Sequence, residues 1–530
     1  MNPRDMYYSL IITCSPCSPP TMANTFRKFS EAFSKVSKNF KASPVDATTV
    51  LADFVSTAKK KYLEAIQELP SRGGEWTVVM GNESCGNIPY HVAKQLRLLT
   101  ILLADLDSIA SSIAYAWVES EVHRRPTVPL IPMQREDLHL RAENIYALNL
   151  AGIYKPREQL LFLTDIPHLN DPDTSFPSQR FVLVDHNKIK DRYLHNNVDG
   201  RVVAIVDHRE DEGLYKNTAD PRIVLPCGSC CSHITTSVLP SRDNPLGISV
   251  PRELATLLLC GVLIDTDGLR PGGKALQVDR DAAVILIPLS TYSEMIPMTL
   301  SHDGGMRPDE HAVYDDKSIK DLTSTLSRKK LDLSHLGTRD LLRRDCKVYD
   351  YCVEWLPGSP LVRVGLSSVP MPLCEWGKEG TIKDEIFSWM KARGIHIHGV
   401  ITSFKEKPSK KGSNKGKEKD KGTGKSRREQ VWMVVDPGVL GTAEQAAYSS
   451  RGRQIDLVKL TARFFESLEK DGALQLGEHQ LRLNKNGGLS AGVDVRVYHQ
   501  RDSNPTRKYT APLVKKILTE QVAVSLPNKS

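Results

Sequence analysis

Four short clusters of acidic residues in the first 270 residues have the composition of a metal site. They are Asp105-Leu106-Asp107-Ser108, Asp185-His186-Asn187, Asp207-His208-Arg209 and Asp265-Thr266-Asp267. Carboxylates brought together repel one another, whereas hard divalent cations accept several of them, and imidazole joins the ligand set where Mn²⁺ or Co²⁺ is tolerated. A single cluster is typical of a turn or a helix cap. Four together predict two cations about 3.5–4 Å apart that activate water for attack on a phosphoryl group.

The hydrophobic pattern indicates which elements must position these clusters. Between residues 70 and 300, short runs rich in Val, Ile and Leu alternate with polar or helical stretches. These runs are Trp76 to Met80, Val128 to Met133, Leu160 to Leu163, Phe181 to Val184 and Val202 to Val206. Continuous apolar strands of this kind predict a parallel sheet covered on both faces, and therefore an α/β domain. Polar groups directly follow three of the runs, at the edge where such sheets bind ligands.

A second, smaller unit of mixed α+β structure is predicted from residue 315 to about 526. It begins with a charged helical region, continues through strand-like runs at 361–368, 395–402 and 430–436, and includes a helix at 456–470. Residues 405–429 contain nine Lys and two Arg, with few apolar residues. We expect this Lys-rich segment to be a solvated, disordered hairpin loop.

Composition excludes several classes of protein. With 40% hydrophobic and 25% charged residues and no long apolar run, the chain is predicted to be soluble and not to span a membrane. The net charge of +8 comes mainly from the Lys-rich segment, so specific nucleic-acid binding is not expected. Ordinary cysteine usage indicates a reducing compartment, and we predict a cytoplasmic protein with a disordered leader over residues 1–24.

Two further motifs favour structural roles over metal binding. The Cys14-x-x-Cys17 and Cys227-x-x-Cys230 pairs have the spacing of zinc ligands, but reduced structural cysteines are the favoured interpretation. His396 and His398 point to one face of a predicted strand. Without an acidic neighbour in the sequence, they are interpreted as half-buried strand residues.

The four clusters resemble the motifs of the DHH phosphoesterase superfamily, in particular its exopolyphosphatase and prune branch. The resemblance rests on an Asn in the first motif, DHN in the second, DHR in the third and LIDTDGL in the fourth, and it covers about residues 50–525. It implies a DHH domain over residues 25–300 and a DHH-associated C-terminal domain over residues 315–526. The active site would lie in the cleft between them.

The first motif is split relative to the family pattern. The family pattern is His or Asn, then three residues, then Asp-x-Asp-Ser, whereas here residues 85–103 separate Gly81-Asn82-Glu83-Ser84 from Ala104-Asp105. These nineteen residues are interpreted as an insertion or a retained intron. We expect the insertion to move Asn82 off the strand-to-helix turn and to weaken one metal site.

The resemblance also implies the role of each site residue. The metal ligands would be Asn82, Asp105, Asp107, Asp185, His208 and Asp265, with Asp185 bridging two Mn²⁺ or Mg²⁺ ions and Co²⁺ as an alternative. Substrate would be bound by His186, Asn187, Arg209, the Gly228-Ser229-Cys230 turn, Lys347, Arg507 and Lys508. Catalysis itself would depend on Asp107, Asp185, His208 and Arg209.

The leading functional hypothesis is a monomeric exopolyphosphatase that hydrolyses the terminal phosphoanhydride bonds of inorganic polyphosphate. A prune-like phosphodiesterase of cyclic or short nucleotides, or a pyrophosphatase, is the alternative within the same fold. An interaction protein with an impaired metal site is the alternative from another class, favoured by Asn82, Arg209 and the split first motif.

Overall fold

The computed structural model describes residues 49–520, except 83–103, 168, 170–173, 241–246, 294–298, 301–305, 308–312, 314, 377–381, 406–424, 441–454, 482 and 484–491. Several predictions therefore lie outside the described residues. They concern the leader, the segment 85–103, the first cysteine pair and most of the Lys-rich segment.

The N-terminal part is built on a six-stranded sheet in which every pairing is parallel. The strand order is β3-β2-β1-β4-β5-β6. The strands are β1 (Thr77–Met80), β2 (Thr127–Ile131), β3 (Leu161–Phe162), β4 (Arg180–Val184), β5 (Arg201–Asp207) and β6 (Arg222–Val224). The first five follow the apolar runs of the sequence, and the predicted parallel α/β sheet is confirmed.

Helices cover this sheet. They are α1 (Val50–Glu68), α2 (Leu106–Trp117), α3 (Ala142–Leu150), α4 (Pro156–Gln159), α5 (Asp191–Leu194), α6 (Cys230–His233), α7 (Arg252–Asp265) and α8 (Gln277–Leu289). Short 3₁₀ segments occur at Pro70–Glu75, Arg135–Leu140 and Leu163–Asp165, and π-helical turns at Val118–Val122 and Ile234–Val238. All twelve residues of α2 are buried, because α2 is enclosed by the sheet and α7.

The C-terminal part contains a second, mixed sheet of seven strands. Its order is β14-β15-β13-β11-β10-β9, with β12 paired to β13, and only the β10–β11 pairing is parallel. The strands are β9 (Cys346–Cys352), β10 (Leu361–Val369), β11 (Ile397–Thr402), β12 (Phe404–Lys405), β13 (Ser426–Val435), β14 (Leu476–Glu478) and β15 (Val493–Gln500). A separate two-stranded pairing joins β7 (Thr299–Leu300) to β8 (Met306–Arg307).

The helices of this part are α9 (Lys317–Leu331), α10 (Thr338–Arg344), α11 (Leu373–Trp376), α12 (Ile382–Arg393), α13 (Pro437–Leu440), α14 (Leu457–Glu469) and α15 (Arg507–Thr519). Asp316 caps α9, and the predicted helix at 456–470 corresponds to α14, capped by Asp456. The mixed α+β architecture is confirmed. The expected loop at 405–429 is wrong at its end, because Ser426–Glu429 belong to β13 and Glu429 is buried.

One hydrophobic core runs through both parts. It includes Ile109 of α2, Leu258 of α7, Leu342 of α10 and Val431 of β13, all fully buried. A second cluster fills the other face of the C-terminal sheet around Trp432 and Phe464. Among the described residues, no helix is long and apolar enough to cross a membrane.

Candidate metal centre

The candidate site lies at the carboxyl ends of β1 and β4, which are neighbours in the sheet. The strand order reverses at this pair, and open α/β sheets bind ligands in the crevice that such a reversal creates. Asp185 immediately follows β4 and adopts a left-handed backbone conformation with φ of 59°. Its carboxylate is 1% exposed, so the turn places a buried anion at the crevice.

Asp107, in the first turn of α2, is held by donors from the segment that begins α6. Its Oδ1 accepts hydrogen bonds from the Ser229 hydroxyl at 2.7 Å and the Cys231 N–H at 2.8 Å, and its Oδ2 accepts from the Cys230 N–H at 2.7 Å. Burial and the charge of Asp185 nevertheless raise the pKa of Asp107 to about 6. The carboxylate is therefore oriented by the backbone while its negative charge remains poorly compensated.

His208 faces both carboxylates with one ring nitrogen. Its Nδ1 lies 2.9 Å from the Cys227 carbonyl, and its Nε2 lies 3.1 Å from Asp185 Oδ1 and 3.8 Å from Asp107 Oδ2. Although burial alone would lower the pKa of His208, the two carboxylates raise it to about 12. At this pKa the ring carries a proton on both nitrogens, and Nε2–H donates to Asp185. Because the Cys227 carbonyl only accepts hydrogen bonds, Nδ1 would keep its proton when a cation replaced the proton on Nε2.

Two more acids surround this trio. Asp105 caps α2 by accepting a hydrogen bond from the Ser108 N–H at 3.1 Å. Burial opposes ionisation of Asp105, but the charge of Arg141 and the bond to Ser108 hold its pKa below the ordinary value. Asp265, the last residue of α7, has its pKa raised to about 7 by burial and by the charges of Asp107 and Asp105. The predicted acids therefore interact electrostatically.

The structure corrects the expected displacement of Asn82. The Asn82 N–H donates to the Ser108 hydroxyl oxygen at 3.1 Å, and that hydroxyl donates to Asp185 Oδ2 at 2.6 Å. The backbone after β1 therefore lies against the start of α2 although residues 83–103 intervene in the sequence. Ser108 joins the first motif to the second.

Arg209 contacts Asp185 in this structure. Its Nε donates to the Asp185 carbonyl at 2.7 Å, and its Nη2 lies 2.9 Å and 3.1 Å from the two carboxylate oxygens. Nη1 takes no part in these contacts, and 46% of the side chain is exposed. Arg209 therefore orients Asp185 and leaves one guanidinium nitrogen toward solvent.

The N–H groups of the Gly228-Ser229-Cys230 turn, which is predicted to contact phosphate, are bonded to protein carboxylates in this structure. Asp279 accepts the Gly228 N–H at 2.8 Å and the Ser229 N–H at 3.3 Å, while Asp107 accepts the Cys230 N–H. These donors are already bonded to protein carboxylates. The turn holds Asp107 in place, and α6 is only four residues long.

Asn187, a predicted substrate contact, forms hydrogen bonds within the protein. Its amide nitrogen donates to Asp207 Oδ2 at 2.5 Å and to the Glu210 carbonyl at 3.0 Å, and its oxygen accepts the Glu212 N–H at 2.9 Å. Asp207 in turn accepts the His208 N–H at 2.7 Å. Asn187 therefore fixes the His208 loop to the end of β4. His186 lies beside it, with Nδ1 3.0 Å from the Val184 carbonyl.

The three predicted cations of the C-terminal part lie on different elements. Lys347 lies in β9, opposite Leu366 of β10. Arg507, the first residue of α15, donates to the Asp345 carbonyl at 2.7 Å and forms an ion pair with its carboxylate at 2.8 Å. Lys508 follows and is exposed. Arg507 is therefore tied to the residue that directly precedes β9.

Residues that sequence reasoning missed connect the two parts. Arg344 is 9% exposed, and its Nε donates to the Leu140 carbonyl at 3.0 Å and its Nη2 to the Lys330 carbonyl at 2.6 Å. The neighbouring Arg343 lies 2.7 Å from Asp137. The available sequence signal is the pair of arginines directly before Asp345.

A second group of ligand-type atoms occurs in the C-terminal sheet. Glu429, His479 and His499 have one such atom each within 4.8 Å of the others. The Leu481 N–H donates to His479 Nδ1 at 2.8 Å, so the neutral ring carries its proton on Nε2, which lies 3.2 Å from Glu429 Oε1. Metal-bound histidines use their other nitrogen as a donor. This group is therefore a buried hydrogen-bonded pair of Glu429 and His479 with the His499 ring tilted beside it, and not a metal site.

The donor set of Asp107, Asp185 and His208 fits a divalent cation. Their ligand atoms lie within 4.8 Å of one another, both carboxylates are buried, and Nε2 of His208 faces them. Two oxygens and one nitrogen suit Mn²⁺ and also accommodate Mg²⁺ or Co²⁺. Burial, together with the charge of neighbouring carboxylates, raises the pKa of Asp107 and of Asp185, and a cation would neutralise that negative charge.

Comparison with known families gives two matches. Residues 102–262 match the DHH family, N-terminal domain, and residues 324–517 match the DHHA2 domain. The first match contains Asp105, Asp107, Asp185 and His208 and ends before Asp265, and the second contains α10, β9 and all but the last two residues of α15.

Curated relatives agree with these matches. A candidate exopolyphosphatase of Schizosaccharomyces pombe is 34% identical over 253 residues, covering 46% of this chain and 58% of that protein. Mouse exopolyphosphatase PRUNE1 is 26% identical over 51% of this chain and 48% of its own length. A probable manganese-dependent inorganic pyrophosphatase of Streptococcus agalactiae is 24% identical over 43% and 62%. The alignments thus span about half to three-fifths of these relatives.

Proposed function

Because the chain belongs to the DHH family, in its exopolyphosphatase and prune branch, and carries the DHHA2 domain, we propose that it is a metal-dependent phosphoesterase that removes terminal phosphates from inorganic polyphosphate. The observation that carries the proposal is the convergence of Asp107, Asp185 and His208 at the sheet's topological switch point.

These three residues, with Asp105 and Asp265 beside them, are the proposed ligands of two divalent cations. Bound cations would neutralise charge on the phosphoryl group and lower the pKa of the water that attacks it. The chain's own contribution is to orient the ligands before substrate arrives. Two N–H groups and a hydroxyl fix Asp107, the Cys227 carbonyl fixes the tautomer of His208, and Ser108 and Arg209 fix Asp185.

Arg209 is the proposed contact to the terminal phosphate. Its Nε and Nη2 bind Asp185, so Nη1 can donate to a phosphate oxygen without breaking those contacts. Lys347, Arg507 and Lys508 are the proposed phosphate contacts of the DHHA2 domain. Since Arg507 is bonded to Asp345, phosphate binding by Arg507 would compete with that ion pair, and exposed Lys508 is the more accessible cation.

Polyphosphate is favoured as substrate by the names of the fungal and mammalian relatives, and pyrophosphate by those of the bacterial ones. Pyrophosphatase activity is therefore the second candidate function. Both substrates contain a phosphoanhydride bond, and the residues that orient the ligands serve either reaction.

The test is phosphate release from long-chain polyphosphate, pyrophosphate and a cyclic nucleotide, each with Mn²⁺, Mg²⁺ or Co²⁺. Asp185→Asn is the inactive control. We expect polyphosphate hydrolysis that requires a metal, both in the full chain and in a form lacking residues 85–103, because Asn82 already contacts Ser108. No metal-dependent release from any substrate by either form would refute the enzyme assignment.

A further inference from the structure

One short turn orients two of the proposed metal ligands. It comprises residues 227–232 and leads into α6. Its Cys227 carbonyl lies 2.9 Å from Nδ1 of His208. Residues 229–231 supply the hydroxyl and the two N–H groups that donate to Asp107, at 2.7 Å or 2.8 Å. A shift of this segment, which we call the ligand-holding turn, would therefore move both ligands.

A carboxylate of α8, Asp279, holds the ligand-holding turn in place. Asp279 is 0% exposed and accepts hydrogen bonds from the turn at three points. The donors are the Gly228 N–H at 2.8 Å, the Ser229 N–H at 3.3 Å and the Ser232 hydroxyl at 2.6 Å. Asp279 also accepts the Leu276 N–H at 2.7 Å. Its two oxygens therefore serve the turn more than they serve its own helix.

Helix capping accounts for only one of these bonds. Asp279 is the third residue of α8, and an acidic residue at that position accepts the N–H of the residue before the helix, which is Leu276. A cap of this kind does not require burial, and it uses one carboxylate oxygen. The burial of Asp279 and its three bonds to the ligand-holding turn have to be explained by the turn.

The ligand-holding turn also packs against the segment of a third proposed ligand. A Cβ at Gly228 would lie 2.8 Å from Asp279 Oδ2 and 2.6 Å from Cγ2 of Thr266. Thr266 directly follows Asp265 at the end of α7. The absence of a side chain at Gly228 thus lets the turn lie between Asp279 and the segment that carries Asp265.

We propose that Asp279 is a positioning residue of the candidate metal centre, which raises the affinity for a divalent cation without contacting it. The inference rests on the proposed function and deepens it. Among the described residues, Asp279 belongs to neither group of clustered ligand-type atoms. It acts through the ligand-holding turn, which fixes Asp107 and His208 before a cation binds. Partners of metal ligands typically change metal affinity by about 10–100-fold, and we expect about tenfold for Asp279, which is one bond further away.

The experiment measures Mn²⁺ binding to the metal-free full chain by isothermal titration calorimetry. Asp279→Asn keeps the shape of the side chain but turns an NH₂ group toward donors of the turn, so Mn²⁺ affinity should fall about tenfold. Ser290→Ala is the matched control at the other end of α8. Ser290 is 0% exposed, and its hydroxyl donates to the Ile287 carbonyl at 2.9 Å and accepts the Tyr292 N–H at 3.1 Å. We expect Mn²⁺ affinity at the wild-type value in this control.

A second variant, Ser232→Ala, separates the hydrogen bonds of Asp279 from its charge. It removes one donor to Asp279 and no charge, and we expect Mn²⁺ affinity to fall about threefold, as for the loss of one hydrogen bond. Thermal unfolding in EDTA reports the stability of each variant without metal. If Asp279→Asn does not fold, Ser232→Ala decides the question alone.

Phosphate release as a function of Mn²⁺ concentration supplies a further readout. In Asp279→Asn the half-maximal Mn²⁺ concentration should rise about tenfold, whereas a merely structural defect would lower release at every Mn²⁺ concentration. Wild-type Mn²⁺ affinity in both variants overturns the proposal, and so does an equal loss in Ser290→Ala. Weaker Mn²⁺ binding by variants of a chain that releases no phosphate supports the role of Asp279 and refutes only the proposed function.

Discussion

His398, in the middle of the C-terminal sheet, should make the protein sensitive to acid. It is 0% exposed, its Nε2 lies 3.1 Å from the Ser367 hydroxyl, and its Nδ1 has no hydrogen-bond partner. Desolvation by burial lowers the pKa of His398 from 6.5 to about 3. The folded protein therefore keeps the ring neutral at pH values where the unfolded chain binds a proton.

The sign and size of the effect follow from proton linkage. Below pH 6.5 the unfolded chain binds a proton at His398 that the folded protein does not bind. The free energy of unfolding is therefore unaffected by His398 above pH 6.5, decreases as the pH falls from 6.5, and levels off near pH 3, where the folded protein is protonated too. Between pH 7.5 and pH 5 the loss is about 2 kcal/mol from this residue. A folded domain has a free energy of unfolding of roughly 5–15 kcal/mol, so this loss is a substantial fraction of it.

The assay is urea unfolding from pH 7.5 to pH 5 for the wild type and His398→Gln, with His123→Gln as the control, since the His123 side chain is 47% exposed. The substitution should remove about 2 kcal/mol of the pH dependence of the free energy of unfolding, whatever it does to stability at pH 7.5. Other titrating groups are common to both proteins and cancel. An unchanged pH dependence in the variant would refute the reasoning, because His398 would then be titrating normally in the folded state.

Three further outcomes are expected. Asp185→Asn should weaken Mn²⁺ binding at least about 100-fold in isothermal titration calorimetry, and unchanged affinity would remove Asp185 from the ligand set. Arg344→Ala should lower the free energy of unfolding by about 1–3 kcal/mol, because the Leu140 and Lys330 carbonyls lose their donor, whereas Arg339→Ala at an exposed position of the same helix should change it little. Gly399→Ala should lower the free energy of unfolding by about 1–3 kcal/mol, since the added Cβ would lie 2.5 Å from the Trp432 ring. Gly472→Ala, where the added Cβ meets no atom within 4 Å, is the control. Equal losses in the two variants would contradict the packing argument.

The sequence predicted the parts of the fold that have continuous apolar patterns. The strands β1 to β5 were predictable because each is a short run of buried aliphatic residues. β15 was missed although Val493, Val495 and Val497 alternate with polar residues, which is the signal of a strand with one buried face. Its charged residues concealed that alternation.

The sequence indicated which residues could form the candidate site, but not which hydrogen bonds hold them. Parallel strands end at one edge, so Asp185 and His208 were expected to be near each other. Asp279 lies about fifty residues from the turn whose N–H groups it accepts, and no local pattern signals such a partner. Sequence spacing also suggested that Asn82 was displaced, because spacing does not show that a chain can return to Ser108.

The continuous core limits how this chain can be divided. The apolar cluster extends from Leu51 of α1 to Val497 of β15, so it crosses the boundary between the two family matches. A fragment that ends before α9 would expose the apolar surface that now packs against Ile319 and Leu322, and we expect it to aggregate on expression. Chimeras that exchange the DHHA2 domain between relatives would therefore have to exchange its buried face as well as its cations.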